Sequence, residues 1–171
     1  MKSASPEVNK AKVVIRPASE ADAPVLAQFR YAFRSVLAKT IEPESSFIER
    51  CAPWMQARLR PGGAWRCWLA ECDGVPCGNV WVELIEKIPN PTEEAEQHAY
   101  ITNVYVSEEH RGRGLGSRLL SAALEWIRTE DVHAVILWPT DRSKSLYLRN
   151  GFSVREDLFE MILADDDVGP G

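Results

Sequence analysis

The stretch from Asn103 to Ser117 constrains this chain more than any other: Asn-Val-Tyr-Val-Ser-Glu-Glu-His-Arg-Gly-Arg-Gly-Leu-Gly-Ser. Val104 and Val106 alternate as in a strand, and Leu119, Leu120, Ala123, Leu124 and Ile127 then recur with helical spacing. Between them lie Gly112, Gly114 and Gly116, flanked by Arg111 and Arg113. A strand that turns through glycines into a helix exposes backbone N–H groups with little side chain in front of them. The positive end of the helix dipole reinforces those donors, so such a turn is a seat for phosphate. Two guanidinium groups beside it supply charge-assisted contacts.

A chain of 171 residues suits one domain with a sizeable core. With 45% hydrophobic and 26% charged residues, its composition is that of a soluble globular protein. A net charge of −5 and a pI near 5.3 give no general attraction to nucleic acid or anionic membrane. No apolar run reaches the roughly 18–20 residues of a membrane span, and residues 1–12 lack the apolar core of a signal peptide. These features predict a cytoplasmic protein. Cys51, Cys67, Cys72 and Cys77 are expected to be reduced and structural, and without CxxC pairs or nearby histidines they predict no metal site. Cys72 and Cys77 flank Asp73-Gly74, a hairpin signal, and are expected to approach each other across two strands.

Residues 1–12 read as a loose tail, 13–163 as the folded domain and 164–171 as an acidic tail. Val13–Pro17 is a short strand. Ser19 and Asp22 then cap a helix whose apolar stripe (Val25, Leu26, Phe29, Ala32, Phe33, Val36, Leu37) predicts a run to about Thr40. A second helix spans about Glu44 to Leu59, and Pro61-Gly62-Gly63 ends it. A hairpin follows, Trp65–Cys72 and Val75 to about Ile85, and then a proline-containing acidic loop over residues 86–98. After the strand at Ala99–Val106 and its helix, His133–Trp138 is a strand, Asp141–Asn150 a short helix closed by Gly151, and Phe152 and Phe159–Leu163 mark two final strands. One helix joins the strand before the glycine turn to that at His133–Trp138, which predicts a parallel pair. The fold class is α/β, one mixed and mostly antiparallel sheet with helices on both faces.

The glycine spacing excludes two nucleotide-binding turns. No lysine follows Gly116, as a P-loop requires, and G-x-G-x-G is not the G-x-G-x-x-G of a dinucleotide site. Standing alone, a glycine-rich helix entry can also bind nothing. Here Arg111-Gly112-Arg113-Gly114-Leu115-Gly116 resembles the R/Q-x-x-G-x-G/A motif of the GCN5-related N-acetyltransferases, the GNAT superfamily. Val104-Tyr105-Val106 resembles that family's fourth strand, and Leu146-Tyr147-Leu148-Arg149-Asn150-Gly151-Phe152 is similar to its LYxxxGF segment. The likeness covers about residues 13–163.

The resemblance implies acetyl-CoA as donor substrate, with no metal. Its pyrophosphate would lie on the amides of Arg111, Gly112, Arg113, Gly114, Leu115, Gly116 and Ser117. Its pantetheine arm would enter where the fourth and fifth strands splay, pairing with the edge at Val104, Tyr105 and Val106. Thr140 stands where the family often has asparagine, and Ser143 is a second candidate contact. A backbone N–H near Val104 would stabilise the oxyanion, and Tyr147 would face the departing sulfur. The general base stays open: the family's usual glutamate positions correspond to Tyr100 and Val135, leaving Glu83, His98 and the acids of the 86–98 loop. Trp54, Phe47 and Phe33 are candidates for the acceptor pocket, with the acidic loop as a rim for a cationic amine. The implied activity is N-acetylation of a small-molecule primary amine. A protein or peptide acceptor and a non-catalytic CoA-binding module remain alternatives, as does a homodimer through Phe159–Leu163.

Overall fold

A computed structural model describes residues 12–163. The acidic tail expected from Ala164, and all of the N-terminal tail but Lys12, lie outside the described residues. The elements run β1 (Val13–Pro17), α1 (Ala23–Ser35), α2 (Glu44–Arg58), β2 (Trp65–Cys72), β3 (Val75–Glu86), β4 (Gln97–Val106), α3 (Leu115–Ile127), β5 (Ala134–Ile136) and α4 (Lys144–Arg149). The strands form one sheet in that same order, antiparallel except for the parallel pair β4–β5. Asp73 and Gly74 both take positive φ, 51° and 80°, and close the β2–β3 hairpin as their sequence predicts. Across it the Cys72 and Cys77 sulfurs lie 3.0 Å apart. Burial, and then the Cys72 thiol, push the Cys77 thiol up to about 12. All four cysteines are free. Among the described residues no helix is long and apolar enough to cross a membrane.

Strand alternation divides the core between the two faces of the sheet. Cys67, Leu69 and Trp81 pack with Leu26, Ala27 and Met55 beneath α1 and α2. Ala70, Val80, Val82, Ala99 and Ile101 pack with Leu115, Leu119, Leu120 and Ala123 of α3. On β4 the alternation breaks. Val104 and Val106 join Ala99 and Ile101 on the α3 side, while Tyr105 turns to α1 and meets Phe29 and Phe33 at 5.3 and 6.3 Å between ring centroids. The register with β3 slips to match, from Trp81↔Thr102 to Asn79↔Tyr105. Asn103 absorbs the extra residue at φ 52°, a left-handed conformation that asparagine tolerates better than most side chains. The buried Asn79 amide donates to the Asn103 carbonyl at 3.1 Å and braces this bulge.

Two expectations fail. The stripe predicted to carry the first helix to Thr40 ends at Ser35, whose hydroxyl donates to the Tyr31 carbonyl (2.7 Å), a local bond that competes with further helix. Val36 and Leu37 are therefore exposed, and the chain loops to α2. The strands expected near Phe152 and at Phe159–Leu163 are not formed either. The sheet ends at β5, only three residues long and followed by Pro139, which leaves little edge to template another strand. Phe152 instead folds back on α4, its N–H on the Tyr147 carbonyl (3.2 Å), while Val154, Leu158, Phe159, Met161, Ile162 and Leu163 are exposed.

The entry to α1 is tied to the sheet by Arg16, whose Nη1 and Nη2 fork onto Asp22 at 2.9 and 2.8 Å while Nε donates to Glu71 at 2.9 Å. The Arg16 hydrogen bond is the main reason the Asp22 carboxyl falls from 3.8 to about 2. A folded value below the unfolded one stabilises fully above the unfolded pKa and is lost as pH falls through the folded pKa. Asp22→Asn is expected to lower stability by about 1 kcal/mol at neutral pH. It should also flatten the loss of stability between about pH 4 and pH 2, as read by urea melts across that range.

Candidate active site

β4 leads through a 3-10 turn at Glu108–His110 into α3. Arg111 Nε donates to the Val106 carbonyl (3.0 Å), and Ser107 Oγ pairs with His110 Nδ1 (2.9 Å), so both side chains hold the turn closed. Gly112 and Gly114 sit at φ 74° and 75°, where an L side chain is strained. Gly114 caps α3 without any side-chain oxygen, and no acidic residue stands in the first helical turn. The Arg118 N–H pairs with the Gly114 carbonyl (3.1 Å), leaving the amides of Leu115, Gly116 and Ser117 without intrahelical partners. These donors, with the helix dipole behind them and the exposed Arg113 beside them, make an anion-binding surface.

The neighbouring edge of β4 is open. β5 pairs only with His98, Ala99 and Tyr100, and β4 continues to Val106 with no strand on that side. α4 packs beside the turn: a Cβ at Gly116 would meet Leu146 Cδ2 at 3.5 Å. Tyr147, on α4, is 8% exposed and lies edge-on to Phe152 at 5.7 Å. Burial pushes its phenol above the ordinary value, with the Ser143 hydroxyl opposing the shift. Thr140 and Ser143 close a 3-10 turn over Asp141–Ser143 just ahead of α4, Ser143 Oγ accepting from the Thr140 N–H (2.9 Å) and bonding Thr140 Oγ1 (3.1 Å). A ligand contact at either hydroxyl would share it with this turn. Among the described residues, no group of His, Cys, Asp or Glu is arranged to hold a metal.

The model of the acetyltransferase (GNAT) family matches residues 32–152. The chain belongs to that family. It is 31% identical over 111 residues to an uncharacterized N-acetyltransferase of Methanocaldococcus jannaschii, across 60% of this chain and 44% of that protein. It thus spans less than half the length of that curated relative. A GCN5-related N-acetyltransferase from Ralstonia eutropha JMP134 superposes with a TM-score of 0.75 at 24% identity, over 90% of this chain and all of that one. A predicted acetyltransferase of Clostridium acetobutylicum, solved with acetyl-CoA, gives 0.73 at 21% identity, over 89% of this chain and 97% of its own. At these identities the two structures share the fold.

Within this GNAT fold the other sequence candidates separate. Glu83 is half-buried on β3, opposite Tyr100, whose ring meets Trp138 edge-on at 5.2 Å. His98 stands nearer the start of β4, its ring 5.7 Å from His133 and its Nδ1 buried without a partner. Val135 pairs with Ala99 on β5 and offers no acid–base chemistry. The acidic loop uses its own charges: Glu94 pairs with Lys87 and lies 3.7 Å from His133, and Glu96 Oε1 accepts from the Asn90 N–H at 3.2 Å. Of the aromatic candidates, Phe47 lines a cleft of about 270 Å³ with Arg30, Tyr31 and Arg34. Phe33 packs on Tyr105, and Trp54 belongs to a separate cluster with Trp65 and Trp81, at 5.5 and 6.5 Å.

The bulge at Asn103 and the residues around it escaped the sequence reading. Its signal was present: apolar alternation in odd phase at Ala99 and Ile101 resumes in even phase at Val104 and Val106. Arg30, donating to Asn103 Oδ1 at 3.3 Å, gave no comparable signal.

Proposed function

We propose that this chain transfers the acetyl group of acetyl-CoA to the primary amine of a small molecule. The observation that carries this reading is the continuity of two backbone surfaces, the α3 amides, which lack intrahelical partners, and the edge of β4 beyond Tyr100, which no strand covers. The first suits a pyrophosphate, and the second suits the amide groups of a pantetheine arm laid along Val104, Tyr105 and Val106 like an added strand. In this reading an N–H beside the bulge, at Val104, receives the charge that develops on the thioester oxygen. The amine attacks the carbonyl carbon, the carbon–sulfur bond breaks, and the Tyr147 phenol hydrogen-bonds the departing thiolate. Glu83 is the carboxylate best placed to draw the amine proton, directly or through water, because it is half-buried beside Tyr100 where the strands begin to part. The four free cysteines suit a reducing compartment, and we assign the reaction to the cytoplasm.

The test is thiol release from acetyl-CoA with a panel of small amines beside a peptide array. Turnover with a small amine is expected. Acetyl-CoA binding without turnover on either set would leave a CoA-binding module, and turnover on peptides alone would reassign the acceptor.

A further inference from the structure

The cleft lined by Arg30, Arg34, Lys39, Glu42 and Phe47 lies between the end of α1 and the start of α2, and its charge is unbalanced. Glu42 is taken by Arg50, whose Nε donates to both of its oxygens at 3.2 Å. Among the described residues Arg30, Arg34 and Lys39 have no carboxylate partner, and Arg30 is half-buried with only the neutral Asn103 amide accepting from it. Burial, and then the charge of Arg34, hold the Arg30 guanidinium below its ordinary pKa. A partly desolvated cation beside a like charge is costly unless an anion completes it. Guanidinium forks suit the planar carboxylate and the phosphate group. Arg30 also reaches the residue next to Val104, so an anion held here lies on the α1 side of the bulge where acyl transfer is assigned above.

We propose that the acceptor is an anionic amine, a small molecule whose carboxylate or phosphate is held by Arg30 and Arg34 while its amine meets the thioester. This rests on the acetyl-transfer reading and replaces the expectation of a cationic acceptor drawn to the 86–98 loop. The loop carboxylates Glu94 and Glu96 are already engaged, whereas this cleft has cations to spare.

The experiment compares matched probes: α-amino acids against their amides, and aminoalkyl phosphates against the corresponding amino alcohols. Each pair is assayed by thiol release and by calorimetry on the CoA-bound protein. The expected result is a KM about tenfold or more lower for the anionic member of at least one pair, with the pair type telling carboxylate from phosphate. Arg34→Gln should erase that preference, and Arg34→Lys should restore part of it, while the melting temperature and the KM for acetyl-CoA stay near wild type. Arg34 is the first choice because it is exposed and its side chain makes no hydrogen bond among the described residues, whereas Arg30 touches the bulge. Turnover without charge preference overturns the proposal and leaves acetyl transfer standing. Charge-selective binding that Arg34→Gln abolishes, without turnover, supports the anion site and overturns acetyl transfer. Neither preference in turnover nor selectivity in binding overturns the anion site.

Discussion

Tyr147→Phe is expected to lower kcat by roughly tenfold or more, the scale of a lost acid–base group, while acetyl-CoA affinity and melting temperature stay near wild type. The substitution keeps the ring that packs against Phe152 and the α3 core, so only the hydroxyl is removed. Burial raises the Tyr147 pKa above its ordinary value of 10, so the phenol stays protonated through the neutral and mildly alkaline range. A free thiol ionises near pKa 8.5, so moving the phenolic proton fully onto a thiolate is uphill by about 2 kcal/mol or more. The favoured role is therefore a hydrogen bond that strengthens as charge reaches the sulfur, and no loss of activity from Tyr147 ionisation should appear below about pH 10. Steady-state thiol release and calorimetric titration with acetyl-CoA decide it. An unchanged kcat would reduce Tyr147 to a packing residue.

Gly78→Ala is expected to destabilise the fold by about 1–3 kcal/mol, the usual range for a side chain forced into filled space. A Cβ at Gly78 would stand 2.7 Å from the Tyr105 carbonyl oxygen, 3.3 Å from Leu119 Cδ1 and 3.4 Å from Val106 Cα. The first contact is with backbone, which cannot rotate away as a side chain can, so β4 must move where its open edge faces the splay. Acetyl-CoA binding should weaken along with stability. Thermal melts with and without acetyl-CoA would show both losses, and melts matching wild type would mean that β4 yields without strain.

What the sequence revealed was mostly local. The Asp73-Gly74 turn, the glycine entry to α3 and the capped turn ahead of α4 depend on a few adjacent residues whose backbone preferences agree with the fold. The basic cleft was illegible because Arg30 and Arg34 sit on a helix like any surface arginine; only the docking of α1 over β4 brings one of them to Asn103. The two final strands misled for the opposite reason. Phe159–Leu163 has the composition of a strand, but β5 is too short and too soon ended to receive one. The candidate site was half visible on the same grounds: the donor side follows a contiguous motif, and the acceptor side is assembled from distant segments.

The left-handed residue at Asn103 also limits how this strand can change length. Each residue after it points to the face opposite the one that uninterrupted alternation would assign. Deleting one residue there would turn Tyr105 into the α3 core and push Val104 and Val106 against α1, exchanging the two linings at once. Insertions and deletions are absorbed readily in the loops of such a domain, but β4 must keep its residue count from Tyr100 to Val106. That count, as much as any side chain, keeps the α1 side of the sheet in step with the turn that opens α3.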